Sequence, residues 1–406
     1  MKIVFIFCAR HYYNYDDEQF GLNFLREKGH EIEIWSAVNW RYYPKIIEVP
    51  RNVHSGELIY IDSSEELEKR LNLIPRDEKV HFIVYAYHDY CKVTEKIRAL
   101  IVKHGFCFSN LTEASDIVEV RFHKTKLFYL FKECYRILQL LVYGFRCMLP
   151  KCSPEIVERR DYFLSSLRGP LLYKSQFNFV RCRNAYNYFP NYLEVFSKRN
   201  VIIPHTDYTY YLKNKEIEQE KPIAVFIDEY EIGHSDWVKI GKDFPIKDSK
   251  KYFEELNNLF DKIERTFSVS VLIAAHPKAE YSGNEFGGRE IIFGKTAELI
   301  ASSKFAIYLY GTSLTNILLR NRPFFHIYTS MHTIDNPAYK YIEKVNRILK
   351  TKLLSTKEIS DSLELEEYIN VPGDSMDKII SYYIVDSKSS KTDFEIIEQC
   401  ISGCRS

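Results

Sequence analysis

Two hydrophobic rhythms alternate along the chain. Short apolar runs bounded by Gly, Pro or charged residues are followed by longer stretches with an apolar residue every three or four positions. Lys2 to Phe7 reads as a buried strand, Glu18 to Lys28 as a helix, and Glu31 to Trp35, after Gly29, as a second strand. Further strands are predicted at Leu58 to Ile61, Val80 to Tyr85 and Phe106 to Ser109, with helices at Glu65 to Leu73 and Lys92 to Lys103. Continuous apolar strands separated by amphipathic helices imply a parallel sheet covered on both faces.

The rhythm breaks between Arg121 and Lys151, where one long apolar and aromatic helix is predicted, with seven Lys or Arg residues against a single acid, Glu133. A stretch rich in Tyr, Phe and Arg follows, then a strand at Asn200 to Pro204 and a charged segment, Lys213 to Pro222, that ends in proline and reads as a linker. Beyond it the alternation restarts. Strands are predicted at Ile223 to Asp228, Val269 to Ala275, Glu290 to Phe293, Phe305 to Tyr310 and Phe324 to Tyr328, and helices at Lys250 to Phe267, Thr296 to Ser302 and Leu314 to Arg320. The expected architecture is α/β with two Rossmann-like doubly wound domains. The first covers residues 1–212 with a helical insertion at about 121–166, and the second covers 222–406 including the C-terminal helices. No internal repeat at a solenoid period is visible.

Composition adds exclusions. A chain of 406 residues exceeds what one core supports, and 46% hydrophobic with 27% charged residues is ordinary for globular domains. A net charge of +1 removes the electrostatic argument for a nucleic-acid partner. Nine cysteines are scattered without Cys-x-x-Cys spacing, so neither a disulfide framework nor a zinc site is expected. The apolar run Ile3 to Cys8 is too short for a signal-peptide core and leads into Arg10-His11, which points to the cytoplasm. No apolar stretch reaches the roughly 20 residues that span a bilayer. The 121–151 segment, with Leu127, Phe128, Leu130, Phe131, Leu138, Leu141 and Phe145 between basic margins, is either a long core helix with snorkelling Lys and Arg or an interfacial helix on anionic lipid at the inner face of a membrane.

Ligands of doubly wound sheets collect outside the carboxyl ends of the strands, so the residues just after each strand carry the chemistry. His276-Pro277-Lys278 follows the strand ending at Ala275, where Pro277 fixes the backbone and His276 and Lys278 can donate to phosphate oxygens. Gly311-Thr312-Ser313 follows the strand ending at Tyr310 and opens a helix, so hydroxyls and backbone N–H groups converge there; the bland alternative is an ordinary N-cap. Gly294-Lys295-Thr296 is not a P-loop, because only a strand-like stretch separates Gly294 from Gly288; Gly294 to Glu298, including Thr296 and Glu298, is instead expected to be the turn that meets a nucleotide's base or ribose. No Gly-x-Gly-x-x-Gly is present, which argues against a dinucleotide oxidoreductase.

This combination of an HP motif with a Gly/Ser/Thr phosphate loop resembles the bacterial GT-B glycosyltransferases that use CMP-activated sugars, the sialyltransferase-like and Kdo-transferase-like enzymes. The likeness runs from about Pro222 to Tyr328. It implies His276 and Thr312-Ser313 on the CMP phosphate, a nucleotide-sugar donor carrying a nonulosonic acid or Kdo, and a surface glycan or glycolipid acceptor. In those enzymes an acidic pair followed by glycine supplies the general base; here Asp228-Glu229 is followed by Tyr230, and glycine comes only at Gly233, after Glu231. Asp228 and Glu229 are the first candidates for the base, with His11, Asp16 and Asp17 after the chain's first strand as the alternative, and His205-Thr206-Asp207, just before the linker, is expected to border an interdomain cleft. No Asp-x-Asp triplet is present, so a metal-free, inverting transfer with no cofactor beyond the donor is expected. A CMP-releasing phosphotransferase of the teichoic-acid type and a catalytically silent GT-B-like binding protein are the rival functions, and the oligomeric state stays open.

Overall fold

The computed structural model describes residues 1–8, 12, 16–42, 58–86, 92–112, 174–181, 197–215, 221–234, 243–385 and 389–403. They fall into two compact units. One is built from the described residues up to Thr206 together with those from Ser389 onward, and the other from those between Asp207 and Lys388.

The first unit holds a seven-stranded parallel sheet of β1 (Lys2–Phe7), β2 (Glu31–Ser36), β3 (Leu58–Tyr60), β4 (Val80–Ala86), β5 (Cys107–Thr112), β6 (Ser175–Arg181) and β7 (Ser197–Ile203). Their order is β3-β2-β1-β4-β5-β6-β7. Its helices include α1 (Asp16–Gln19), α2 (Leu22–Glu27), α3 (Val38–Tyr42), α4 (Ser64–Leu73) and α5 (Lys92–Lys103). The continuous apolar run of β1 has a simple cause. Ile3, Phe5 and Phe7 face one core with Leu22 and Leu25 of α2, whereas Val4 and Ile6 face the other with Leu67 and Leu71 of α4 and Ile97 and Ile101 of α5.

Two sequence expectations change here. The single helix from Glu18 to Lys28 is broken at Gly21, which takes φ 60°, and a Cβ there would lie 2.2 Å from the Phe394 ring. The C-terminal helix, assigned by sequence to the second domain, belongs to the first unit. Strand β6 arises inside the stretch whose aromatic and basic residues hid its period. The helix expected at 121–151, and with it the insertion at about 121–166, lies outside the described residues.

The second unit begins with α6 (Thr206–Lys213), mostly within it, and holds a six-stranded parallel sheet of β8 (Ile223–Ile227), β9 (Ser270–Ala275), β10 (Ile291–Phe293), β11 (Phe305–Tyr308), β12 (Phe324–Tyr328) and β13 (Leu353–Ser355). The order is β10-β9-β8-β11-β12-β13, so the chain winds outward to one side of β8 and then resumes on the other. Both sheets are therefore doubly wound, as expected. Helices α7 (Ser249–Phe267), α8 (Thr296–Ser302), α9 (Leu314–Leu319), α10 (Pro337–Leu349) and α11 (Asp374–Tyr383) belong to this unit. The Asp248 side chain caps α7 by accepting from Lys251 N, and its buried stripe of Tyr252, Leu256, Leu259, Phe260 and Ile263 packs on Phe226 and Ile273 of the sheet. Among the described residues no helix is long and apolar enough to cross a membrane.

Helix α12 (Asp393–Ser402) explains the return of the chain end to the first unit. A capping box between Thr392 and Glu395 starts it, and Phe394, Ile397 and Ile401 are buried. Asp393, fully buried, accepts from Arg181 Nη1 at 2.7 Å, and the same nitrogen donates to Thr206 Oγ1. Removing one partner of such a pair strands a buried charge. Asp393→Ala or Arg181→Ala should lower the first unit's stability by about 3 to 5 kcal/mol, seen as an earlier urea unfolding transition, whereas the pair Arg181→Met with Asp393→Leu should recover most of the loss.

Candidate functional site

The neighbouring strands β9, β8, β11 and β12 all end at the same edge of the second sheet, and each is followed by polar residues. The winding direction reverses between β8 and β11, the place where such sheets leave a crevice. All four loops there are joined by two buried carboxylates.

Asp228 follows β8 directly, and its backbone N–H continues the ladder to Ala274 O at 3.1 Å. Its side chain is turned inward, with the residue only 4% exposed. Oδ1 accepts from Tyr230 N at 3.0 Å, while Oδ2 accepts from the Tyr281 hydroxyl at 2.7 Å and from His276 N at 3.3 Å. Burial, with a smaller contribution from the Glu231 carboxylate, raises its pKa to about 6 against the pull of these three donors. Tyr281 is in turn held protonated, by its own burial first and by Asp228 second. Asp228 thus fixes the backbone at His276, and its oxygens are engaged in that task.

His276 itself is half-buried. Its Nδ1 accepts from Lys278 N at 3.2 Å, which leaves the proton on Nε2, and Nε2 lies 3.2 Å from Nε2 of His234. The second carboxylate is Glu231, 1% exposed. It accepts from the hydroxyls of Tyr310 at 3.1 Å and Tyr252 at 3.3 Å, and from Nε2 of His332 at 2.9 and 3.0 Å. Burial, then Glu231, keeps both phenols protonated far above their ordinary range.

Across the switch point, Gly311 adopts φ 111°, and a Cβ there would lie 2.1 Å from Glu229 Oε1, so glycine alone lets the half-buried Glu229 carboxylate meet this loop. Tyr308 donates its hydroxyl to Gly311 O at 2.9 Å. Ser313 occupies the N-cap of α9 but makes no side-chain capping bond, contrary to the bland expectation for this loop, and Thr312 is exposed. Pro277 and Lys278 are exposed beside His276. Gly294, at φ 70°, does form the turn between β10 and α8 in which Thr296 starts the helix, but the Glu298 carboxylate is taken by the Tyr210 hydroxyl of α6. Asp17 lies in the first unit, paired with Arg26 at 3.0 Å; His11 lies outside the described residues. In the segment after β7, Thr206 bonds Arg181 and Asp207 bonds Thr315.

Six residues of this arrangement were missed by sequence reasoning: Glu231, His234, Tyr252, Tyr281, Tyr310 and His332. The rule of inspecting strand ends reaches Tyr310, two positions beyond β11, and Glu231 and His332, each four positions beyond its strand, whereas Tyr252, inside α7, carries no such signal. A cavity of about 630 Å³ lies beside the same turn, lined among others by Phe244, Pro245, Lys247, Met331, Asn336 and Lys340. Asn336 joins its walls by donating to Pro245 O and Met331 O. Among the described residues no cluster of three or more His, Cys, Asp or Glu side chains is arranged to hold a metal ion.

No family model matches the chain, and no curated protein matches its sequence. Among solved structures it is similar to a UDP co-structure of MnaA from S. aureus, with 12% identity over 86% of this chain and 88% of that one and a TM-score of 0.39. It is also similar to apo UGT2 of Phytolacca americana, with 8% identity over 99% and 93% of the two chains and a TM-score of 0.43. For MurG of Acinetobacter baumannii the identity is 9% over 88% and 87%, with a TM-score of 0.39.

The raised pKa of Asp228 makes stability depend on pH. The folded protein binds this proton more tightly than the unfolded chain, so the contribution is complete below the ordinary value of 3.8 and is lost as pH rises through about 6. Urea unfolding of the wild type should therefore lose up to about 3 kcal/mol of stability between pH 4 and 6 from this group. Asp228→Asn should flatten that slope, and an unchanged slope would place the titration elsewhere.

Proposed function

We propose that the chain is a metal-independent, inverting glycosyltransferase of GT-B type whose second unit holds the nucleotide of an activated sugar at the carboxyl edge of β9, β8 and β11. The observation that carries this reading is the convergence of two donor-rich loops on the strands flanking one acidic strand end. The His276 loop stands on β9, the Gly311-Thr312-Ser313 loop on β11, and Asp228-Glu229 on β8 between them.

The chemistry follows from the donors. An acceptor hydroxyl attacks the anomeric carbon, the bond from that carbon to the phosphate oxygen breaks, and negative charge grows on the departing phosphate. The Nε2–H of His276 and the Thr312 and Ser313 hydroxyls are suited to meet that charge, because they are placed by the fold before the reaction starts. The hydroxyl proton needs a carboxylate. Asp228, engaged by three donors, serves to position the His276 loop, so Glu229 at the Gly311 face is assigned the base, with Asp17 of the first unit as the alternative. The cavity beside Met331 and Asn336 lies in the size range of small-molecule sites and would receive the glycosyl group. The HP and Gly-Thr-Ser motifs support a CMP ester of a nonulosonic acid or Kdo as the donor, with a bacterial surface glycan as the acceptor.

Thermal shifts with CMP, UMP, UDP and GDP test the donor nucleotide, since a ligand at a hundredfold excess over its Kd stabilises by about 2.7 kcal/mol. The expected ranking puts CMP first; no shift with any of the four would overturn the proposal. His276→Ala should weaken that binding and nearly abolish turnover with the fold intact, and Ser313→Ala or Thr312→Ala should each cost about 1 to 3 kcal/mol of transition-state stabilisation.

Turnover should also survive saturating EDTA. An absolute requirement for added Mg²⁺ or Mn²⁺ would count against the assigned donors.

A further inference from the structure

We infer that Glu231 is the positioning residue of the site, the group that sets where the Gly311-Thr312-Ser313 loop stands relative to the His276 loop. The inference goes beyond the proposed function and rests on it only for what the loop binds.

Glu231 sits three positions beyond Asp228 and receives donors from three other segments. Tyr310 comes from the segment after β11, immediately before Gly311; His332 comes from the turn after β12; Tyr252 comes from α7. His332 is locked in its role, because Thr329 N donates to Nδ1 at 3.0 Å and leaves the Nε2 proton facing both carboxylate oxygens. The same turn is gripped a second time by Glu255 of α7, which accepts from Ser330 N at 2.8 Å and from the Ser330 hydroxyl. Both carboxylates therefore bind loops at one edge of the sheet.

Stability alone does not explain this use of charge. A buried carboxylate with its donors is matched or exceeded in stability by well-packed apolar residues of similar volume. The strands beneath are already held by their backbone ladders, and the bodies of β8, β11 and β12 pack through Phe226, Ile307 and Phe325. What the ladders do not hold are the loops beyond the strand ends. A hydrogen bond fixes distance and direction where apolar contact fixes neither, and a loop that must meet a ligand needs both. Tyr310 gives Glu231 a direct grip on that loop, with Tyr308 holding Gly311 O from below.

Two substitutions separate positioning from plain packing. Tyr310→Phe and Tyr252→Phe each remove one hydroxyl from the same carboxylate, but only Tyr310 adjoins the loop. In the unliganded protein, amide hydrogen exchange at Thr315, Asn316 and Ile317, whose N–H groups bond Thr312 O and Ser313 O, should quicken at least tenfold in Tyr310→Phe and less than twofold in Tyr252→Phe. CMP affinity by calorimetry should fall about tenfold in the first variant and stay within twofold in the second. Glu231→Gln, which keeps volume and one acceptor oxygen, should quicken exchange at Thr315 to Ile317 and at His332 together. Equal exchange in the two tyrosine variants, or none above wild type, would overturn the inference. If exchange follows the expected pattern while the wild type binds none of CMP, UMP, UDP and GDP, the positioning role stands and the proposed function fails.

Discussion

The Asp228 carboxylate, buried where β8 ends, accepts from the backbone of Tyr230, the backbone of His276 and the phenol of Tyr281. Backbone ladders hold parallel strands only as far as the strands run. Beyond that point each loop would choose its own path, and here one carboxylate ties the β8 and β9 loops together while a second, Glu231, ties β8 to β11 and β12. His276 and the Gly311-Thr312-Ser313 segment stand on loops fixed in this way.

Placing two acids so near each other in the interior is costly, because each disfavours the charge of the other and both lose hydration. Direct donors offset the cost. Three phenols, one imidazole and two backbone N–H groups surround the pair; burial first, and the neighbouring carboxylates after it, push the pKa values of the tyrosines far up, while burial raises that of Asp228 to about 6 against the pull of its donors. Such a network rigidifies what it touches only while every member is satisfied. Each donor holds the segment it comes from, the Tyr310 hydroxyl the loop at Gly311 and the Tyr252 hydroxyl α7.

The first unit shows the same physical theme with a different purpose. Its order β3-β2-β1-β4-β5-β6-β7 has a reversal between β1 and β4, yet its buried ion pair, Arg181 with Asp393, joins β6 to the last helix of the chain. There the charge pair fastens an element. In the second unit the charges hold loops.

Much of this was legible in the sequence, because strands and helices announce themselves by period. A strand buried on both faces must be apolar at every position, as Lys2–Phe7, Ile223–Ile227 and Phe324–Tyr328 are after their first residue or throughout, with His326 as the polar exception. Alternation with helices then requires parallel pairing, and the polar residues left at strand ends, His276 and Gly311-Thr312-Ser313, mark the edge where ligands collect. These are local facts, and backbone sterics with burial suffice to encode them. The tertiary structure decided everything that depends on partners distant in the chain. Gly21 interrupts a helix with its φ of 60°, and the Phe394 ring occupies the place of a Cβ there. Asp228 accepts from the His276 backbone, 48 residues further along the chain. Glu231 found His332, 101 residues away. No periodicity records such meetings, since a side chain's direction at the end of a strand is set by which neighbouring strands bring donors to it, and that follows only from the order in which the sheet is wound.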